Sequence, residues 1–260
     1  MHNFIAVVIR RLPAVDLGLA GRTALVTASS KGLGRGSAVA LVGEGVNVVL
    51  CARTADELAR ATEAATDAAG SNGAGVHSIV ADVTEVDAPA RLVAETVERF
   101  GGLEILVANS GGPPRAKALE VDDAAILDAI NNNLLTTVRL VREAVPHMRD
   151  AGWGRIVAIT SYTVKQPIPA LALSNTARTG LWAWAKTASQ DLFADHITLN
   201  LACPGLHATD RVTSLGVAAG TPLGDPDDFG RIVAFLCSEP AKFITGTALA
   251  IDGGGVLGLL

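Results

Sequence analysis

Thr27-Ala-Ser-Ser-Lys-Gly-Leu-Gly34, followed by Arg35 and Gly36, is the first stretch whose residue types and spacing could do chemistry. It joins an aliphatic run to a stretch of helical character. Glycine at such a turn lets backbone approach a ligand closely, and amides at the following helix N-terminus point at it. The ligand suited to this is a diphosphate. Thr27, Ser29, Ser30, Lys31, Gly32, Leu33 and Gly34 are therefore candidate dinucleotide contacts. A tight turn without a ligand would carry the same glycines. The second aliphatic run ends Cys51-Ala52-Arg53. An acidic residue there would accept from an adenosine ribose 2′-hydroxyl. Arg53 instead offers a guanidinium fork that matches a 2′-phosphate, and Lys31 can reach the same group. The pair favours NADP(H); two solvated surface charges are the alternative. After the third run, Asp82-Val83 can lie against an adenine ring, and Asp82 can also cap the next helix.

Such residues need strands to carry them to one edge. From Arg22 the chain alternates short apolar runs with longer Ala-rich stretches. The runs are 23–27, 46–50, 76–80, 103–107, 155–160, 197–201 and 248–251. Each is nearly uniformly apolar, as in strands covered on both faces, so the sheet is expected to be parallel. Between them, apolar residues recur at three- and four-residue spacing over 55–69, 88–100, 124–149 and 177–193. Glycines at 45, 70, 101–102 and 152 sit where helices should end. The pattern predicts a single domain over 21–260. It is α/β, a doubly wound parallel sheet of about seven strands with helices on both faces. Residues 1–20 read as an N-terminal extension. Their apolar segment precedes the basic pair Arg10-Arg11, the reverse of a secretory signal.

Composition narrows the partners. The chain has 260 residues, 49% hydrophobic and 18% charged, with a formal charge of −5 and no long basic run. General disorder is excluded, and neither nucleic acid nor an anionic membrane surface is expected as main partner. Cys51, Cys203 and Cys237 lie far apart, which argues against a disulfide framework or zinc site and fits a reducing cytoplasm. No apolar run reaches the length of a membrane span.

Taken together, these residues resemble the short-chain dehydrogenase/reductase family, most closely its 3-oxoacyl-acyl-carrier-protein reductase-like members, over roughly residues 16 to 256. The family's T-G-x3-G-x-G is matched by Thr27, Gly32 and Gly34, with Ala28 at the first glycine. Its N-N-A-G is matched in part by Ala108-Asn109-Ser110-Gly111. Pro204-Gly205 and Thr209 match P-G-x3-T, and Thr245-Gly246 with Asp252-Gly253-Gly254 match the terminal signature. The resemblance implies a Rossmann-type fold, NADP(H) as cofactor and a small carbonyl or alcohol substrate. It also implies contacts near the nicotinamide from Asn109, Ser110, Gly111, Pro204, Gly205 and Thr209, and a homotetramer or homodimer.

The same resemblance marks a catalytic set. The family's helix asparagine, counted back from Pro146, falls at Asn133. Its serine falls at Ser161. Its tyrosine, thirteen residues on, falls at Ser174, and its lysine at Arg178. Ser174 and Arg178 share a helix face, so the geometry is kept while the chemistry changes. A serine hydroxyl is far less acidic than a phenol. Arg178 stays charged; it can bond a ribose or stabilise an oxyanion but cannot act as a base. The single tyrosine of the chain, Tyr162, is a second candidate acid, with Lys165 behind it and Gln166 without an assigned role. His207, beside the expected nicotinamide pocket, reads as a solvent-facing loop histidine or as a pocket residue. Trp182 and Trp184 divide between core packing and a subunit interface. The segment 210–225 reads as a short Ala- and Gly-rich lid, facing a stiff rim at Gly111-Gly112-Pro113-Pro114.

Overall fold

The computed structural model describes residues 15–214, 216–218 and 220–259. Seven strands form one sheet: β1 (Thr23–Val26), β2 (Asn47–Ala52), β3 (Val76–Val80), β4 (Ile105–Ala108), β5 (Gly154–Ile159), β6 (Ile197–Pro204) and β7 (Ala248–Ile251). Their order is β3-β2-β1-β4-β5-β6-β7, and every pairing is parallel. The order reverses between β1 and β4, and in such sheets ligands bind beyond the carboxyl ends of the strands at that point.

The uniformly apolar runs are explained by two cores. Successive strand residues point to opposite faces. On β1, Leu25 enters one core while Ala24 and Val26 enter the other. On β4, Leu106 and Ala108 face the first core, and Ile105 and Val107 the second. The first core lies under α3 (Ala88–Phe100), α5 (Thr136–Asp150) and α6 (Ala172–Leu192). The second lies under α1 (Gly32–Gly43), α2 (Ala55–Ala69) and α8 (Pro226–Leu236). Helix α8 crosses α1 at glycine: a Cβ on Gly230 would collide with the Gly36 backbone.

Besides shifts of up to five residues at element ends, as at α6, two features differ from the sequence expectation. The single helix expected over 124–149 is split into α4 (Asp123–Ile130), a wider π turn over Asn131–Leu135, and α5. The Thr136 hydroxyl donates to the Asn131 carbonyl at 3.0 Å, and Arg139 Nη1 donates to Asn131 Oδ1 at 2.9 Å, which occupies both oxygens of Asn131 in the widened turn. Such turns are frequent at functional sites, and this one holds Asn133. Second, folded packing starts ahead of residue 21. Leu19 is buried, and the Leu17 carbonyl accepts from the Glu239 amide at 2.8 Å. Residues 1–14 of the expected extension lie outside the described residues.

Candidate active site

A cavity of about 1570 Å³ runs along the carboxyl edge of the sheet, from Arg53 at the end of β2 to Asn133 and Arg178 beyond β5. Ser30, Lys31, Gly32, Leu33, Arg53, Asp82, Val83, Asn109, Ser110 and Gly111 all line it. Thr27, Ser29 and Gly34 do not, and the structure gives each another task. The Thr27 hydroxyl donates to the Asn109 carbonyl at 2.7 Å and accepts from its amide at 2.9 Å, tying β1 to β4. The Ser29 hydroxyl donates to the Val26 carbonyl at 2.8 Å and accepts from the Cys51 amide at 3.0 Å, tying β1 to β2. Gly34 is needed for packing, since a Cβ there would run into the Ala28 carbonyl. The turn therefore depends on serine and threonine hydroxyls that face inward. Ala28 itself has φ 45°, a left-handed conformation that an L-residue adopts at a cost of about 1–2 kcal/mol.

The end of the cavity beside β2, where the sequence leads an adenosine to be expected, is charged on both sides. Lys31 Nζ lies 3.2 Å from Glu57 and 3.1 Å from Asp210, and these carboxylates, Asp210 first, raise its pKa. Arg53 lies 3.5 Å from Asp82. Burial pushes the Asp82 carboxyl up, but the Thr84 amide and hydroxyl together with Arg53 outweigh it and hold the group below its usual range. Asp82 does not cap α3, whose N-cap is Asp87. Its carboxylate accepts from Thr84 instead, at 2.7 and 3.0 Å. Arg35, Glu57 and Arg60 also line this end. Sequence reasoning missed them, although 57 and 60 sit on one face of the predicted second helix.

At the other end, Ser161 leaves β5 in an extended conformation and caps a 3-10 turn, its hydroxyl accepting from the Thr163 amide at 3.2 Å. Tyr162 lines the cavity with it; burial and the Asp252 charge raise its phenol pKa. Asn133 is 3% exposed, and both atoms of its amide lack a partner. Ser174 and Arg178 lie one turn apart on α6, 8% and 7% exposed. Arg178 Nη1 donates to the carbonyls of Ile159 at 3.2 Å and Thr160 at 2.8 Å. A guanidinium has five N–H groups, so three remain without a partner among the described residues. Burial, with Arg211 second, pulls the Arg178 pKa down to about 10, against a smaller upward effect of Cys203. It remains a cation at neutral pH.

Pro204, Gly205 and Thr209 line the same wall, and Thr209 Cγ2 would lie 3.2 Å from a Cβ at Gly32. The β6 loop thus meets the glycine turn. His207 is not solvent-facing: it is 5% exposed, edge-on to Phe229 at 5.2 Å, and burial lowers its pKa. Lys165 turns away from the cavity, its ammonium 5.2 Å from the Trp182 ring. Gln166 receives the Leu257 amide at 2.8 Å and so anchors the C-terminal segment. Trp182 and Trp184 both pack partly against the first core. The lid contains one helical turn, α7 (Asp210–Ser214). Its Arg211, which the composition of the segment concealed, lines the cavity. Among the described residues no group of His, Cys, Asp and Glu could hold a metal, and no helix is long and apolar enough to cross a membrane. The three cysteines are buried and unpaired.

A family model described as enoyl-(acyl carrier protein) reductase matches residues 27–255. Human dehydrogenase/reductase SDR family member 4 is 30% identical over 91% of this chain and 88% of its own length. The chain belongs to the short-chain dehydrogenase/reductase family. Another member, 3-oxoacyl-(acyl-carrier-protein) reductase FabG of Staphylococcus aureus, is 30% identical over 90% of this chain and 97% of its own. In structure this family member is similar to L-sorbose reductase from Gluconobacter frateurii, solved with NADPH and L-sorbose. The TM-score is 0.86 at 28% identity, covering 94% of this chain and all of that one. Members of this family related to the chain are oxidoreductases.

Proposed function

We propose that this short-chain dehydrogenase/reductase is an NADP(H)-dependent oxidoreductase that interconverts a small carbonyl compound and its alcohol. The observation that carries the reading is Arg178: a buried guanidinium, with three N–H groups unused, lining the cavity beside Ser174. A cavity of about 1570 Å³ exceeds the roughly 300–1,000 Å³ of a drug-sized ligand site and leaves room for a dinucleotide with substrate. Gly32, Ser110 and Gly111 would hold the dinucleotide's backbone, and Arg53 and Lys31 a 2′-phosphate. The absence of an acid at the end of β2 supports NADP(H), as does the NADPH of the similar sorbose reductase.

When bound, NADPH would supply hydride chemistry at the carbonyl carbon; the protein's own part is the proton that completes the alcohol. Ser161 donates to the carbonyl oxygen, and Arg178 stabilises the negative charge that develops there. Ser174 and Arg178 stand in this reading where the family has tyrosine and lysine. The proton has two sources on the cavity wall, the Ser174 hydroxyl and the Tyr162 phenol. Asn133, with its unpartnered amide, suits a water in the relay. The protein works in this reading as a cytoplasmic homotetramer or homodimer.

A fluorescence titration with NADPH and NADH, followed by NADPH consumption over a ketone panel, tests this. Tight NADPH binding with turnover supports it, and no binding of either nucleotide sinks it. Ser174→Ala and Tyr162→Phe identify the donor by the larger fall in kcat. A second reading follows from the serine at 174: binding of NADPH with product formed at constant NADPH absorbance would point to a non-redox reaction on the same fold. Binding with no turnover would point to a catalytically silent NADP(H)-binding protein.

A further inference from the structure

Arg178 has no carboxylate. None of the ion pairs among the described residues includes it, and none includes Arg211. The carboxylates lining the cavity are committed elsewhere: Glu57 and Asp210 to Lys31, and Asp82 to Arg53. Asp128, on α4, is exposed and forms no ion pair. A charge taken nine-tenths out of water is costly unless an opposite charge meets it. The diphosphate of a dinucleotide belongs at the glycine turn, and ribose hydroxyls bring no charge.

Arg211 makes the shortage sharper. Its Nη2 donates to the Pro113 carbonyl at 2.8 Å, which holds it across the mouth from α7 to the opposite rim. Gly112 leaves it room, since a Cβ there would lie 3.3 Å from Nε and Nη2. Its charge acts on Arg178 from that position. Arg211 is exposed at the mouth while Arg178 is buried behind it, so an anion seated between them would meet the dry guanidinium directly and the hydrated one from the solvent side. Guanidinium forks match planar and tetrahedral oxyanions, and Asn133 adds an unpartnered amide donor to the same wall.

We propose that the substrate of this site carries a carboxylate or phosphate close to its reacting carbonyl, and that Arg211 and the unused N–H groups of Arg178 hold that anion. Arg211 is then the residue that sets specificity. The proposal rests on reading this end of the cavity as the substrate end.

The test pairs charged compounds with neutral counterparts. The probes are 2-, 3- and 4-oxopentanoate against their methyl esters, and dihydroxyacetone phosphate against dihydroxyacetone. Two readouts are taken on NADPH-loaded protein: the rise in Tm and the rate of NADPH consumption. At least one charged probe is expected to raise Tm where its neutral partner does not. Its kcat/KM should exceed the partner's by at least about tenfold, as removal of a charge-assisted contact implies. Arg211→Ala should abolish the difference mainly through KM, and Arg211→Lys should restore part of it. Which arm responds, oxopentanoate or phosphate, separates the two anions. Equal response to charged and neutral partners, or a preference that survives Arg211→Ala, overturns the proposal. A selective Tm rise lost in Arg211→Ala, with no NADPH consumed, upholds the anion site while refuting the redox reading. Turnover of neutral ketones alone does the reverse.

Discussion

Replacing Arg178 with methionine should leave stability nearly unchanged and the protein nearly inactive. Burial, with Arg211 second, pulls the Arg178 pKa from the ordinary arginine value down to about 10 on folding. A cation with a lowered folded pKa binds its proton less tightly in the fold than in the unfolded chain. The charged form is therefore penalised at every pH below about 10, fully so at pH 7, and the penalty fades only as pH rises above that toward the ordinary arginine value. At roughly 1.4 kcal/mol per unit, the penalty is about 3 kcal/mol. Methionine keeps the apolar stem and removes the charge. It also forfeits the bonds to the Ile159 and Thr160 carbonyls, at about 1.5 kcal/mol or more each for a charged donor. The two effects offset to within about 1 kcal/mol, so Tm should move by no more than roughly 2–4 °C for a chain of this size. Loss of the electrostatic donor should meanwhile lower kcat by roughly 10²–10³. Thermal unfolding and urea titration, run without anions at pH 7, read the first quantity, and NADPH consumption reads the second. A variant less stable than the parent by more than about 3 kcal/mol would refute the view that Arg178 is a charge held without a counter-ion. Unchanged kcat would refute its place in the chemistry.

Ala28→Gly should raise stability by about 1–2 kcal/mol, seen as a higher urea midpoint at unchanged slope, because it releases a left-handed alanine. Arg53→Ala should weaken NADPH about tenfold and leave NADH binding unchanged, measured by fluorescence titration, since one charge-assisted contact to the 2′-phosphate is lost. Equal weakening of both nucleotides would assign Arg53 another task. Burial lowers the His207 pKa below 6.5, so the folded state resists its protonation. Stability from this group is present above pH 6.5 and is lost as pH falls through the lowered value; His207→Gln should flatten that limb of a Tm-against-pH curve.

Most of the framework is legible in the sequence because each strand had to be apolar on both faces. β3 and β7 and helices α2 and α3 fall at their expected bounds. Gly101, in a left-handed conformation, ends α3 where the pattern stops. The order of these elements, with the glycine turn after β1 and Arg53 after β2, was enough to locate the cavity edge and the end at which a nucleotide is expected. The family resemblance likewise picked out Asn133, Ser161, Ser174 and Arg178, all of which line the cavity. What periodicity does not encode is which way a short polar side chain turns. Thr27 and Ser29 belong to the binding turn in sequence, yet their hydroxyls stitch strands together, because buried backbone groups there need partners. The split of the helix at Asn131–Leu135 was equally invisible, for it depends on Thr136 and Arg139 meeting the widened turn. His207 and Lys165 were sorted by tertiary contacts, one against Phe229 and the other over Trp182. Sequence order set the residues of the site; only the folded chain decided that Arg178 is buried without a carboxylate and that Arg211 reaches across to Pro113, because charge balance in a cavity is a property of distances in space.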